Sequence, residues 1–545
     1  MKNIKITYLD KIYNIQEKTS IIEFLLNNNF EIKEIVASIV NGVFKNLNYQ
    51  LTIDSSLGLI NRKSLQGQRI YQNSALMIFR STTNAMFSNL KMSIEHSVKS
   101  GIYIETPNQR INQNTVDHIE ENMNLLSNES ALINEINMQK DQARALFKFK
   151  KRSDIIELLK FYNRDSLNVY ELNGTYETFI LPLVPKTSYI KHFKVQKHRN
   201  GLVLLFPKFE NGMDIPDQVV RPKLAKTYDE YLHWSKVLEL NSIGQLNKVI
   251  MEGNANKIIK LTEALHEKKI VEISNQIISK MSKPNLIFCA GPSSSGKTTF
   301  AKKLAVQLNV DGVSTDIISL DDYFVNRKDS PVDCNGEYNF ETIEAIDYEL
   351  FQLQFNEYLN NKKIKTPLYD FYTGKRKLQT KEIIPDLNKV LIVEGIHGLN
   401  PILTNGINKD KVFKVYVSAL TNLNLHLTDR VPSTYIRLLR RIVRDSLNRG
   451  YSAEDTLKSW KIVREGEAEY IFPYQENADI IFNTSLSYEI SVLKTIAEKE
   501  LLKVVPESEV SYLANHMLKF LGYFLSIDKN LVPSNSILNE FTMQE

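Results

Sequence analysis

The stretch from Gly291 to Thr298 holds the residues whose types and spacing most clearly predict chemistry; it reads Gly-Pro-Ser-Ser-Ser-Gly-Lys-Thr. A glycine, four residues and then Gly-Lys-Thr is the pattern of a loop whose backbone N–H groups wrap round a polyphosphate. In such a loop Gly296 lets the backbone approach the anion, Lys297 reaches the β- and γ-phosphates, and the Thr298 hydroxyl can hold Mg²⁺. The residues expected to bind the phosphates are Gly291, Ser293, Ser294, Ser295, Gly296, Lys297, Thr298 and Thr299.

The elements around this loop have the order that such a site needs. Residues 285–290 (Asn-Leu-Ile-Phe-Cys-Ala) predict a buried strand, and residues 297–309 predict a helix whose N-terminus faces the anion. A Gly/Ser turn can meet the pattern by chance, but a strand before it and a helix after it favour a nucleoside triphosphate site. Cys289 is expected to be buried beside the loop.

Two adjacent carboxylates follow the next apolar segment. Residues 313–320 predict a strand that ends at Asp321 and Asp322. A carboxylate at the carboxyl end of a parallel strand lies in the crevice where ligands bind. There it can orient an acceptor hydroxyl and take its proton during phosphoryl transfer. One of the two is expected to act in this way and the other to cap the next turn, and we assign the catalytic role to Asp321.

A third carboxylate and a run of arginines complete the predicted constellation. Residues 390–393 (Val-Leu-Ile-Val) form a fully apolar strand followed by Glu394, a position suited to holding Mg²⁺ through water. Residues 435–448 predict a helix, and arginines three and four apart share one of its faces. That face is either solvated or part of a lid that clamps the transferred phosphate, and we favour the lid. The arginines are Arg437, Arg440, Arg441, Arg444 and the following Arg449.

Together these motifs resemble the uridine–cytidine kinases, within the wider uridine kinase and phosphoribulokinase group, over residues 284–484. The phosphate-binding loop (P-loop), Asp-Asp-Tyr-Phe, Asn-Phe-Glu, Tyr-Asp-Phe, Glu-Gly-Ile and Arg-x-x-Arg-Asp occur in the family's order at similar spacing. The resemblance implies a mostly parallel sheet flanked by helices, ATP or GTP as phosphate donor, and Mg²⁺. It also implies a role for each site residue: Asp321 as the base, Glu341 on the ribose hydroxyls, Phe340, Tyr369 and Phe371 around the nucleobase, Arg441 between ribose and phosphates, Arg444 and Arg449 in the lid.

The chain departs from this family at three places. Gly374 stands where the family has a histidine that hydrogen-bonds the pyrimidine. The lid ends Arg449-Gly-Tyr451 where the family has Arg-Gly-Arg, and an insertion spans residues 422–434. Because polar contacts carry discrimination between bases, loss of the histidine predicts a permissive kinase that extends to purine nucleosides. Gly374 is expected to open space, and Gly374→His to shift preference toward uridine and cytidine.

The N-terminal half resembles a different family. Residues 1–62 combine a hairpin, a helix with a capping box at Ser20 and Glu23, and a strand, and resemble the TGS module of threonyl-tRNA synthetases. Residues 63–225 resemble the second N-terminal domain of those enzymes, where mischarged tRNA is hydrolysed. The histidines and cysteine that hydrolysis needs are absent, since Asn73 and Met77 stand on the first helix and Leu183 in the later segment. We therefore expect a scaffold or binding role and no editing.

The rest of the chain is expected to be helical and to carry no chemistry of its own. Residues 226–283 predict a connector packed on the kinase core, and residues 485–545 a C-terminal helical extension. Lysines from Lys186 to Lys197 and Arg199 form a basic run, either an RNA-facing strand or a solvated edge strand, and we favour the edge strand. The predicted fold class is multidomain α/β and α+β: a P-loop domain preceded by a β-grasp module and an α+β domain.

Composition narrows the function classes without choosing one. The 545 residues carry a net charge of +5, which neither demands nor excludes nucleic acid. Two cysteines and no apolar leader or membrane-length run suit a cytoplasmic protein. The leading hypothesis is a nucleoside 5′-kinase. The alternatives are a kinase of a sugar phosphate or other small alcohol, and an RNA-binding protein with a regulatory triphosphate site; a homo-oligomer and RNA binding stay open.

Overall fold

The computed structural model describes residues 2–87, 90–98, 101–209, 212–216, 221–280, 286–332, 336, 338–386, 388–421 and 423–543. The first unit is a five-stranded sheet in the order β2-β1-β5-β3-β4, with β1 parallel to β5. One helix covers it and buries Phe24 and Leu25 against Ile6. The predicted capping box between Ser20 and Glu23 is confirmed. The elements are β1 (Asn3–Tyr8), β2 (Lys11–Gln16), α1 (Ile21–Asn27), β3 (Ile35–Val40), β4 (Val43–Lys45) and β5 (Ser55–Asn61).

The second unit contains two small antiparallel sheets around one long helix. The sheets have the orders β10-β9-β8 and β11-β12-β7-β6. Buried side chains of the long helix, among them Ile70 and Met77, share a core with Leu183 and Leu204. The elements are α2 (Leu65–Met86), β6 (Ser93–Val98), β7 (Gly101–Glu105), α3 (Gln113–Asn128), β8 (Asn134–Gln139), α4 (Lys140–Phe149), α5 (Ser153–Lys160), β9 (Ser166–Leu172), β10 (Thr175–Thr178), β11 (Lys194–His198) and β12 (Gly201–Leu205).

Two residues of the basic run, Lys194 and Lys197, lie on an edge strand, which agrees with the favoured interpretation for this part of the run. Strand β11 pairs only with β12 in its four-stranded sheet, and Lys194 and Lys197 on it are exposed. Lysine on an edge strand discourages pairing with a second chain. Arg199 at the end of the run forms an ion pair with Asp229 at 2.5 Å.

Three helices and a parallel sheet follow. The helices are α6 (Pro222–Val237), α7 (Ile243–Met251) and α8 (Ala255–Lys280). The later elements are β13 (Leu286–Ala290), α9 (Lys297–Val310), β14 (Ser314–Ser319), α10 (Tyr348–Leu359), β15 (Ile364–Asp370), β16 (Lys375–Ile383), β17 (Lys389–Gly395), β18 (Val412–Ser418), β19 (Asn424–His426), β20 (Asp429–Arg430), α11 (Ser433–Arg444), α12 (Ala453–Tyr470), β21 (Ile480–Asn483), α13 (Glu489–Leu501), α14 (Ser511–Leu521) and α15 (Asn539–Thr542).

The five-stranded sheet has the order β14-β17-β13-β18-β21, and every adjacent pair in it is parallel. Strand β13 is buried along its whole length, because helices cover both faces of the sheet and apolar runs suit such strands. The predicted strands and P-loop helix are confirmed from Leu286 onward, while Asn285 lies outside the described residues. All carboxyl ends meet at one edge, so the residues after β13, β14 and β17 are brought together there.

The parts of the chain share their cores. Helix α8 packs Ile273 and Ile277 against Phe300 and Leu304 of the P-loop helix. A larger core joins α5, the β19–β20 hairpin of the insertion, α11 and α14. No helix within the described ranges has the length and apolar character that crossing a membrane requires.

Candidate active site

The P-loop has a shape that only small residues allow. Gly291 lies so close to the carbonyl oxygen of Val417 that a Cβ atom there would overlap it. Gly296 caps α9 with φ of +86°, and a Cβ on it would lie 2.8 Å from Ile537. Ser294 also has a positive φ, 56°. Successive left-handed and right-handed residues turn backbone N–H groups into one concavity, which is the form of an anion-binding nest.

Lys297 begins the helix and holds the loop in place. Its Nζ donates a hydrogen bond to the carbonyl oxygen of Pro292 at 3.2 Å. Burial lowers the pKa of the ammonium, while the nearby carboxylates of Glu394 and Asp321 oppose that shift. A buried cation flanked by two carboxylates is positioned to neutralise phosphate charge at the centre of the site.

The two adjacent aspartates have different surroundings. The backbone N–H of Asp321 donates to Ser319 Oγ at 3.2 Å in the short 3₁₀ turn after β14. Burial raises the pKa of the Asp321 carboxyl, and the positive charges of Lys297, Arg449 and Arg444 act against that rise. Asp321 is therefore the aspartate that faces the P-loop lysine and the basic side chains.

Asp322 serves the neighbouring β-hairpin. Its Oδ1 accepts a hydrogen bond from the backbone N–H of Tyr369 on β15 at 3.3 Å. The expectation that one aspartate caps the following turn is thus wrong in detail, because Asp322 fastens a strand that arrives 47 residues later. The two aspartates still differ as expected, since Asp322 has a structural contact and Asp321 faces the site.

Glu394 joins the ends of three elements. Its Oε1 accepts hydrogen bonds from Thr298 Oγ1 and from Ser319 Oγ, each at 3.4 Å. Burial raises the pKa of this carboxyl to about 7. A carboxylate and a threonine hydroxyl on adjoining elements are hard oxygen ligands, so the residues present fit a Mg²⁺ held between them.

The arginines of the basic helix α11 have different surroundings. Arg437 is buried, forms an ion pair with Glu467, and donates through Nε to the carbonyl oxygen of Ser293 at 3.0 Å. Arg440 is fully buried and paired with Glu489 at 2.6 Å. The interpretation of all five arginines as one phosphate-facing set is wrong, because Arg437 and Arg440 are buried in structural ion pairs. Other elements pack around helix α11, so residues on more than one of its faces are buried. The helix also starts earlier than predicted and passes into a π-helical turn, Asp445–Arg449.

The other three arginines gather on one carboxylate. Asp445 lies 3.3 Å from Arg441, 2.8 Å from Arg444 and 3.7 Å from Arg449. Arg441 Nη1 also donates to the side-chain oxygen of Ser293 at 3.0 Å. Asp445, the aspartate of the Arg-x-x-Arg-Asp motif, had no role assigned from the sequence; it holds three guanidinium groups beside the P-loop.

Glu341 is a further carboxylate that interacts with Arg441 of this group. Burial raises the pKa of its carboxyl, whereas Arg441 and Lys297 lower it. Among the described residues its Oε2 atom has no hydrogen-bond partner. A Cβ at Gly466 would overlap the Cβ of Glu341, so that glycine lets α12 approach the carboxylate closely. A buried acceptor oxygen without a protein donor suits a ligand that carries hydroxyl groups.

Four aromatic rings form a cluster beside Glu341. The ring of Phe324 lies 5.7 Å from Phe340, 5.6 Å from Tyr369 and 6.1 Å from Phe371, and is the centre of the cluster. Phe371 is 57% exposed, so its ring is available at the surface. The structure brings together the three rings named from the sequence. It adds Phe324 to them. The feature of the sequence that could have indicated Phe324 is its position directly after the Asp-Asp-Tyr segment.

Gly374 does not open the space that the sequence led us to expect. It has φ of +66°, and a Cβ on it would lie 2.8 Å from two atoms of Arg327. The carbonyl of Gly374 accepts from the backbone N–H of Arg327 at 2.8 Å, so the two loops are tied at this point. Gly374→His would strain the turn and displace Arg327 before it could reach a base, so the expected shift in preference is withdrawn.

Comparison with known proteins supports the kinase interpretation of this region. The model of the family described as Phosphoribulokinase / Uridine kinase family matches residues 286–491. A uridine kinase of Lactobacillus helveticus is 30% identical over 207 residues, which is 38% of this chain and 89% of that protein. A uridine kinase of Macrococcus caseolyticus is 30% identical over 39% of this chain and 94% of its own length.

A solved structure titled as a possible uridine kinase from Bacillus stearothermophilus is 18% identical and covers 40% of this chain and 98% of its own. Its TM-score of 0.28 adds nothing to the assignment. The match in sequence and the site geometry agree on residues 286–491: through this region, the chain belongs to the phosphoribulokinase / uridine kinase family.

Proposed function

We propose that the protein transfers the γ-phosphoryl group of ATP to the 5′-hydroxyl of a nucleoside. One observation carries the proposal: the Asp321 carboxyl is influenced by the positive charges of Lys297, Arg449 and Arg444, and Phe324, the centre of the aromatic cluster, follows it by three residues. A phosphoryl donor on one side and a flat acceptor on the other would therefore meet at this carboxylate. ATP or GTP would serve as the phosphate donor.

On the donor side, the loop from Gly291 to Thr299 would hold the phosphates. Its backbone N–H groups, the hydroxyls of Ser293, Ser294 and Ser295, and the ammonium of Lys297 supply donors and positive charge. Thr298 and Glu394 would hold Mg²⁺, which when bound neutralises charge between the phosphates. The guanidinium groups of Arg444 and Arg449 would stabilise the negative charge of the transferred phosphoryl group.

On the acceptor side, Asp321 would orient the hydroxyl and take its proton. Its oxygen accepts the O–H proton as the oxygen–phosphorus bond forms, and the bond to the leaving nucleoside diphosphate breaks. Burial raises the pKa of the Asp321 carboxyl, and the positive charges of Lys297, Arg449 and Arg444 act in the opposite direction and favour the ionised form. Arg441, which contacts Ser293, would bridge the acceptor and the P-loop.

The rings and Glu341 favour a nucleoside over a sugar phosphate. The oxygen of Glu341 without a protein donor suits ribose hydroxyls, and Phe340, Tyr369 and Phe371 suit the face of a base. A sugar phosphate would need cations for its own phosphate in addition to Arg441, Arg444 and Arg449, which the proposal already assigns to the transferred group and the acceptor hydroxyl. Stacking without a polar reader at position 374 still predicts broad acceptance of bases, because every base presents a π-face.

For the N-terminal half we propose a scaffold related to the TGS and second domains of threonyl-tRNA synthetases. The mixed sheet β2-β1-β5-β3-β4 with one covering helix supports the first part. Met77 and Leu183 are buried in an apolar core. A site for an activated water needs polar groups there, so this half is proposed not to hydrolyse aminoacyl-tRNA.

The test is a panel of acceptors incubated with ATP or GTP and Mg²⁺ and followed by release of the nucleoside diphosphate. Uridine, cytidine, adenosine, guanosine and inosine form one arm, and pentose phosphates form the second. A filter-binding arm with tRNA tests the RNA-binding alternative. Release that depends on a nucleoside supports the proposal. Release only with pentose phosphates, or tRNA binding without any release, would contradict it.

A further inference from the structure

The last helix of the chain places a carboxylate on the N-terminus of the P-loop helix. Glu540, on α15, accepts hydrogen bonds through Oε2 from the backbone N–H of Thr299 at 3.2 Å and from its hydroxyl at 2.7 Å. These two groups are 241 residues away along the chain. The C-terminal segment, residues 533–543, therefore reaches the phosphate-binding end of α9.

Thr299 is a residue that a bound polyphosphate would use. It occupies the third position of the 14-residue helix α9, where the backbone N–H groups have no partner within the helix. These N–H groups and the helix dipole attract an anion. The structure shows an anion there, and it is a side chain of the same protein.

The segment that carries Glu540 is firmly attached. Ile537 is fully buried, lies against Gly296 of the P-loop and shares a core with Phe300. The ring of Phe541 lies 4.9 Å below the guanidinium of Arg440. Met543 accepts a hydrogen bond through its carbonyl oxygen from Asn448, at the end of the arginine cluster, at 3.1 Å. The contact is thus part of an ordered layer over the loop.

The negative charge of Glu540 also affects ionisable groups of the candidate active site. It acts to raise the pKa of Lys297 and of Glu394, alongside the other carboxylates there. A phosphate at Thr299 would face this carboxylate at close range, and two like charges repel strongly in a partly buried setting. Glu540 and a donor phosphate cannot both use the Thr299 N–H and hydroxyl.

We propose that Glu540 is an internal competitor of the nucleotide donor, and that the C-terminal segment restrains the kinase until it is displaced. The inference rests on the proposed function, since it takes the P-loop as the donor site. The binding-competent form is the one in which Glu540 has left Thr299. The observed affinity for nucleotide is then lowered by the fraction of molecules in the docked form. Any partner or ligand that draws residues 539–543 away would activate the enzyme.

The test measures ATP binding by calorimetry in the full-length protein, without acceptor, so that it does not depend on turnover. Glu540→Gln removes the charge and keeps the shape, and Glu540→Ala removes the acceptor as well. Glu507→Gln is the matched control, an exposed carboxylate of the same C-terminal extension. Lys297→Ala reports whether binding goes through the P-loop.

We expect both Glu540 variants to bind ATP on the order of 10-fold more tightly than the wild type. The Glu507 variant should match the wild type. Hydrogen exchange should show faster deuterium uptake in residues 537–543 of the wild type when ATP is added. Unchanged or weaker binding in Glu540→Gln, with binding still abolished by Lys297→Ala, would overturn the inference and leave the proposed function standing. No ATP binding in any of the proteins would overturn both.

Discussion

The guanidinium of Arg440 is paired with the carboxylate of Glu489 at 2.6 Å, and neither side chain is exposed. Arg440 also donates to the carbonyl oxygen of Thr484 at 2.8 Å. The hydroxyl of Thr484 in turn donates to the carbonyl oxygen of Ser295 in the P-loop at 2.6 Å. The buried ion pair of the basic helix therefore supports the P-loop through Thr484.

Arg440→Ala should destabilise the fold, because it leaves the carboxylate of Glu489 buried without its cation. Removing one partner of a buried pair typically costs about 3–5 kcal/mol. Arg449→Ala is the matched control on the same stretch, since its side chain is 52% exposed and its removal should change the free energy of unfolding by less than about 0.5 kcal/mol. Denaturant unfolding checks both. Equal stability of the two variants would show that the Arg440 pair is not structural.

Lys297→Ala should remove most of the turnover and leave the fold intact, because its ammonium faces the loop, where it donates a hydrogen bond to the carbonyl oxygen of Pro292. Loss of one group that stabilises transition-state charge typically lowers kcat by roughly 10²–10³-fold. Lys302→Ala, an exposed lysine on the same helix, is the control. Steady-state kinetics and a thermal melt are compared. Near-normal turnover in the Lys297 variant would refute the P-loop assignment.

Asp321→Asn should lower kcat by roughly 10²–10⁴-fold, since an amide keeps the shape of the side chain and cannot take a proton. Asp322→Asn should retain most of the activity, because an amide oxygen can still accept from the Tyr369 N–H. Rates are measured at saturating acceptor. If the two variants lose activity in the reverse order, the assignment of the base is off by one residue.

Local patterns predicted the centre of the site because its residues follow strands whose carboxyl ends must meet. The P-loop follows the apolar strand β13, Asp321 follows β14 and Glu394 lies at the end of β17, and a parallel sheet brings such positions together. Partners distant in sequence were not predictable. The carboxylate that buries Arg440 comes 49 residues later, and Glu540 comes 241 residues after Thr299. The left-handed turn at Gly374 was not predicted. A glycine in the sequence reveals neither its backbone angle nor that a neighbouring residue, here Arg327, fills the space beside it.

The fold of the N-terminal half was predictable at the level of elements. The capping box at Ser20 and Glu23 fixed the start of α1 from sequence alone. Strand pairing was less visible, because the parallel partners β1 and β5 are separated along the chain by more than forty residues and by three other strands. The insertion before α11 was noticed only as extra length. It forms the β19–β20 hairpin, whose Thr428 donates to Glu177 of the N-terminal half at 2.8 Å.

The buried carboxyl of Glu394 predicts a pH dependence of stability in the absence of Mg²⁺ and nucleotide. Its folded-state pKa of about 7 lies above the ordinary value of 4.5, so the fold favours the protonated form. The contribution of this group to the free energy of unfolding therefore falls as the pH rises from about 4.5 to about 7. Glu394→Gln removes the titration. The variant should match the wild type near pH 4 and be more stable by about 3 kcal/mol near pH 8.

Denaturant unfolding at the two pH values in EDTA measures this difference. Added Mg²⁺ should reduce it in the wild type, since a bound cation stabilises the ionised carboxylate. A difference between the proteins that is the same at pH 4 and pH 8 would show that Glu394 titrates normally and is not desolvated by the fold.

The most direct measurement of the central claim is the identity of the phosphorylated product. The protein is incubated with ATP, Mg²⁺ and each nucleoside, and the product is analysed by mass spectrometry and ³¹P NMR, with 5′-deoxyuridine as the acceptor that lacks the reacting hydroxyl. The account predicts nucleoside 5′-monophosphates from nucleosides with several different bases and no monophosphate from 5′-deoxyuridine. With Asp321→Asn, the nucleoside monophosphates should form much more slowly than with the wild type. Formation of ADP without any nucleoside monophosphate, or phosphorylation that persists with 5′-deoxyuridine, would contradict it.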